Sequence, residues 1–165
     1  MIRDSPKLQR RSSMSTAANT PERNLETLVR QLAARDEIRE LTARYCHAVV
    51  DGDAEAIVAL FASDGTFRSH TLAPSGRDEL LAFYAAGVGG RTHKPFIQNH
   101  VIDLDSEEQA HGRCSVEIRV LQDGKAYTQA GHYLDRYRVE DGRWRFAERH
   151  YHRYHNVPWT EGWER

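Results

Sequence analysis

The chain has 165 residues, a length that suits one domain built around a single sizeable core. Lys and Arg total 23 against 24 for Asp and Glu, so there is no global field to hold nucleic acid or an anionic membrane, and neither is expected as a partner. Cys46 and Cys114 stand far apart inside apolar patterns, which predicts buried thiols in a reducing, cytoplasmic compartment; no apolar run approaches the roughly eighteen residues of a membrane span, and the start lacks the apolar core of a secretory signal.

Residues 1–23 carry turn formers, the cluster Arg10-Arg11-Ser12-Ser13 and no apolar period, which predicts a disordered, dispensable tail; Met14 offers an alternative start. A domain over residues 24–157 and a C-terminal tail over 158–165 complete the expected organisation. From Leu25 the apolar residues Leu28, Val29, Leu32, Ile38, Leu41, Tyr45, Ala48 and Val49 recur at helical spacing, predicting one inward stripe that includes Tyr45. Gly52 interrupts this helix, and Asp53 is placed to cap a second one carrying Ile57, Leu60 and Phe61. Phe67 falls in a short strand, and Ser75 with Asp78 makes a capping box ahead of a third helix bearing Leu80, Leu81, Phe83 and Tyr84, ended by Gly87, Gly89 and Gly90.

The period then changes from helical to alternating, with strands predicted over about 93–104, 110–122, 125–139 and 143–155. Asp123-Gly124 and Asp141-Gly142 are hairpin signals, so the strands form an antiparallel meander. Helices first and long strands afterwards give an α+β fold with helices covering the inner face of the sheet. On the last strand, alternation from Trp144 and Phe146 puts Glu148, His150 and His152 on the core face, with Arg149 and Tyr151 opposite. That set, with His132 across the hairpin, reads either as a polar rim for a substrate carboxylate or carbonyl, or as a strand leaving the core at Glu148. His150, His152 and His155 also raise a metal reading, but a third or fourth ligand is not identifiable, and no metal or organic cofactor is expected.

Two segments carry a resemblance. The run from Ile38 through Tyr45, Asp51, Leu60, Phe61 and Asp64 to Phe67 resembles the opening helices of SnoaL-like proteins of the nuclear transport factor 2-like superfamily. The run Gly131-His-Tyr-Leu-Asp135-Arg-Tyr137 through Asp141-Gly142 to Trp144-Arg-Phe146 resembles their final hairpin, and the likeness covers roughly residues 25–155. It implies a cone-shaped α+β barrel, with N-terminal helices packed on a curved, mostly antiparallel sheet around a pocket. The family includes scytalone dehydratase, bile-acid dehydratase, lindane dehydrochlorinase, ketosteroid isomerase and polyketide cyclases, which work on rings, mostly without cofactors.

In the dehydratase members a helix-borne tyrosine, an aspartate and a strand histidine form the acid–base set. Tyr45 matches the first, either as a donor to a substrate oxygen or as a core tyrosine with a hydrogen-bonded hydroxyl. Val50 holds the usual aspartate position with Asp51 one residue on, about 100° around the helix, so Asp51 turns inward only through a helix irregularity. The usual histidine position falls near Pro95 or Phe96, flanked by His93 and His100, which have opposite parity and point the same way only if a bulge intervenes. The expected function is a cofactor-free lyase or isomerase for a small hydrophobic cyclic compound, with Tyr45, Asp51 and His100 catalytic and Phe61, Phe67, Asn99, His132, Trp144, Glu148 and His150 contacting substrate. The rival is a non-catalytic binding or assembly module with the same cavity. A homodimer or higher homo-oligomer is also expected.

Overall fold

The computed structural model describes residues 24–88 and 92–160; the predicted tail over 1–23 and the end of the predicted C-terminal tail lie outside the described residues. Helix α1 runs Leu25–Asp51, capped at its start by the Asn24 side chain, which accepts from the Glu26 N–H at 3.1 Å. Gly52 ends it in the left-handed conformation, φ 72°, and its N–H reaches back to the last carbonyls. The inward stripe is shorter than its period suggests. Leu25, Val29 and Leu32 are exposed, and full burial begins at Ile38.

Helix α2, Ala54–Val58, starts on the Asp53 cap as expected, with Asp53 Oδ1 accepting from Ala56 N–H at 2.9 Å. It ends before Phe61, which opens strand β1, Phe61–Ser69, instead of closing the helix. Helix α3 spans Gly76–Val88. Its capping contact is shifted by one residue from the expected box, since Glu79, not Asp78, accepts the Ser75 N–H at 3.0 Å.

Strands β2 (Thr92–Leu104), β3 (Gln109–Gln122), β4 (Lys125–Glu140) and β5 (Arg143–Pro158) form the predicted antiparallel meander, with both Asp-Gly pairs at its turns in positive φ. Strand β1 adds to β5 in parallel, giving one open five-stranded sheet in the order β1-β5-β4-β3-β2. The α+β expectation of helices over a curved, mostly antiparallel sheet therefore holds, with the sheet left unclosed.

Bulges decide which residues face inward. One extra residue in β2 between Gln98 and Val101 reverses the parity of that strand, with Asn99 taking the left-handed φ of 53°. Another, at Ala147, reverses β5, since Phe146 pairs with Tyr137 but Glu148 pairs with Arg136. The inner face of β5 thus continues from Phe146 to Arg149 and Tyr151, both buried, and the expectation that Glu148, His150 and His152 follow Trp144 inward is corrected. A third irregularity, between Ala130 and Gly131, brings two strands very close. A Cβ on Gly131 would lie 2.2 Å from the carbonyl oxygen of His152 and 2.8 Å from the Tyr151 ring. Gly131→Ala is therefore expected to cost about 2–3 kcal/mol, the upper range for overpacking because backbone must move. A melting temperature within 2 °C of the native protein would contradict this.

Candidate active site

The inner face of the sheet and helices α1 and α3 enclose a cavity of about 300 Å³. Its lower wall is aromatic and phenolic. Tyr45 from α1 and Tyr84 from α3 place their hydroxyls 3.1 Å apart, and the Tyr45 ring makes edge contacts with Tyr84, Tyr133 and Phe146. Phe67 from β1 and Phe83 from α3 stack with centroids 5.2 Å apart on another wall. His93 of β2, Gln129 and Tyr133 of β4, and Tyr151 and Arg153 of β5 also line the space. No Asp or Glu does so among the described residues.

Burial raises the phenol of Tyr45, with Arg149 working against it, and burial carries Tyr84 and Tyr133 well above the ordinary tyrosine value. All three are therefore protonated donors at neutral pH. The mutual hydrogen bond between Tyr45 and Tyr84 consumes one of their two protons, which leaves the second for a ligand oxygen.

Beneath this wall lies a buried polar network. The Arg149 guanidinium stacks 3.8 Å from the Tyr133 ring centre and 4.2 Å from that of Tyr45. Its Nη2 donates to Asp135 Oδ2 at 3.2 Å, and both side chains are fully buried. The same carboxylate oxygen accepts from the Tyr137 hydroxyl at 2.9 Å. Because that phenol proton is committed, His100 must present a protonated Nε2 to the Tyr137 oxygen, 3.1 Å away.

The β2 bulge meets the condition set by the sequence, and His93 and His100 both face inward. They go to different places: His93 lines the cavity, whereas His100 joins the Tyr137 network and does not. Burial, then the charges of Arg149 and Arg39, hold the His100 imidazole down at about 4. The native state therefore binds fewer protons than the unfolded chain between that value and the ordinary histidine value near 6.5, so this contribution is complete above about pH 6.5 and lost as pH falls towards 4. The expected loss is roughly 1–2 kcal/mol after discounting for the partly exposed ring. Denaturant unfolding at pH 7 and pH 4.5 should show a smaller change for His100→Gln than for the native protein, and equal changes would refute the assignment.

Of the other expected site residues, Phe67 lines the cavity. Phe61 is buried behind it against Tyr45 and Phe146, and Trp144 is buried at the opposite end of the sheet near Leu104 and Leu41. Asp51 is exposed on a helix that stays regular to its cap, so the irregularity needed to turn it inward is absent; Asn99 is exposed on the bulge. His132, Glu148 and His150 lie on the outer face. There His132 does meet His152 across the hairpin, with stacked rings 4.9 Å apart, His150 packs on His152, and Glu148 pairs with Arg68 at 3.5 Å. No group of three His, Cys, Asp or Glu side chains among the described residues has a metal-holding arrangement.

Sequence reasoning passed over Tyr84, Tyr133, Asp135, Arg149 and Arg153. Parity from Tyr133 through Asp135 to Tyr137 marks one face of β4 and was available. Arg149 was hidden by the bulge beside it.

The architecture and its cavity define a small α+β domain with helices packed over an open five-stranded sheet. Residues 30–150 match the family of SnoaL-like domains, and the chain belongs to that family. Among solved structures, a candidate scytalone dehydratase of Novosphingobium aromaticivorans superposes with a TM-score of 0.74 at 21% identity, over 82% of this chain and 93% of that one. A hexachlorocyclohexane dehydrochlorinase of Novosphingobium barchaimii gives 0.72 at 16%, over 81% and 95%. A Mycobacterium tuberculosis protein of unknown function gives 0.71 at 24%, over 76% and 75%. At these identities the likeness is one of fold.

Proposed function

We propose that the protein is a lyase or isomerase that works without a cofactor on a small hydrophobic cyclic compound, by proton transfer inside this cavity. The observation that carries the reading is the Tyr45–Tyr84 hydroxyl pair facing the same apolar space as His93. The phenol pair holds and polarises the substrate oxygen, and the imidazole moves the proton beside it. His93 takes the role first expected of His100.

The test is conversion of cyclic ketones and alcohols by the purified protein, followed by Tyr45→Phe. That variant keeps the packed ring and removes one donor, so turnover should fall about 10²–10³-fold, the scale of one lost oxyanion donor. Stability should fall by no more than about 1.5 kcal/mol, the net value of one hydrogen bond. Unchanged turnover would remove the phenol pair from the chemistry.

A second reading, a binding module, draws on Val50 at the family's usual aspartate position and on the usual histidine position falling near Pro95 or Phe96. It predicts saturable ligand binding with no turnover of any compound tried. Under either reading we place the protein in the cytoplasm, where the unpaired buried thiols of Cys46 and Cys114 suit a reducing setting. We further propose a homodimer through the outer sheet face, where Val101, Leu134 and Tyr154 are exposed. Light scattering that gives the monomer mass of 18.9 kDa at high micromolar concentration would refute it.

A further inference from the structure

We propose that the compound taken up by this cavity carries a carboxylate, held at the mouth by Arg153 while its ring enters among the phenols. The inference rests on the cavity being the ligand site, as above, and names the chemical class that fits it. Among the described residues lining the cavity, Arg153 supplies the one permanent charge and no acidic side chain opposes it. Its exposed position on β5, two residues beyond Tyr151, lets a carboxylate bind while partly hydrated, so the desolvation penalty of a buried ion pair is avoided.

The interior reinforces the preference. A second cation, Arg149, lies against the far faces of Tyr45 and Tyr133, and its Nε and Nη1 are buried without a hydrogen-bond partner. Asp135 balances its charge from the side away from the cavity, where it also binds Tyr137. The rings of Tyr45 and Tyr133 are thus backed by positive charge, and the Tyr45–Tyr84 pair keeps one proton to donate to a ligand oxygen. Val49, Phe67, Phe83 and Ile118 supply apolar walls, and the volume of about 300 Å³ admits a bicyclic ring.

The test compares two probes of matched shape, 2-naphthoate and 2-naphthamide, by isothermal titration calorimetry on the full-length protein. A charge-assisted hydrogen bond is about twice as strong as a neutral one, and the acid should bind at least about tenfold more tightly than the amide. That ratio should fall close to one in Arg153→Gln, and should shrink when salt is raised from about 0.05 M to about 0.5 M, as expected for a pair open to solvent. An amide that binds as tightly as the acid, a ratio unchanged in Arg153→Gln, or no binding of either probe at millimolar concentration would each overturn the proposal. Preference for the acid in a protein that converts no compound would sustain the ligand class and reject the enzyme, so the two readings fail separately.

Discussion

Asp135→Ala is expected to lower stability by about 3–5 kcal/mol, the largest effect of any single exchange considered for this chain. Arg149 is fully buried, and its Nη2 bonds only to Asp135 in the described structure. Without the carboxylate, a guanidinium that cannot shed its proton is left in an interior of aromatic rings, and Tyr137 loses its acceptor as well. For a domain of this size the melting temperature should drop by roughly 6–20 °C. A double variant, Asp135→Leu with Arg149→Met, should recover much of that loss, because the charge that needed compensation is gone with its partner. A single variant that melts within about 2 °C of the native protein would mean that the ion pair is not buried as described.

Turnover should fall about 10²–10⁴-fold in His93→Gln, while ligand affinity changes by less than about threefold. The reason is elimination within the cavity wall. Burial keeps the phenols of Tyr45, Tyr84 and Tyr133 protonated, so none of them accepts a proton near neutrality. Among the described residues no carboxylate lines the space, and the Arg153 guanidinium has no lone pair to offer. An imidazole is then the natural proton acceptor, and glutamine keeps its size and hydrogen bonding but not its titration. Full turnover in His93→Gln together with its loss in His100→Gln would move the chemistry to the Tyr137 side of the sheet.

The two histidines show how site and fold differ in legibility. Element types and order follow from local information: helical period from Leu25 to Val49, the Asp53 cap, alternation along β3, and Asp-Gly turns at 123–124 and 141–142. Each depends on residues close in sequence, so the chain alone displays them, and residues 38–67 and 131–146 carry the family resemblance as well. Tyr45 was legible for the same reason, since a helix stripe fixes its direction.

The site itself was set by features that local pattern does not encode. One extra residue in β2 turned both His93 and His100 inward, and one extra residue in β5 exchanged Glu148 and His150 for Arg149 and Tyr151 on the core face. A bulge leaves no mark in an alternating sequence, because strict parity and shifted parity use the same residues. The pairing of Tyr45 with Tyr84 joins helices 39 positions apart, and that of Arg149 with Asp135 joins adjacent strands across a shifted register. By itself, then, the sequence determined the helices, the meander and the family, all of which rest on short-range periodicity. Only the tertiary structure decided which polar groups face the cavity, because that depends on strand register and on how far each helix reaches over the sheet.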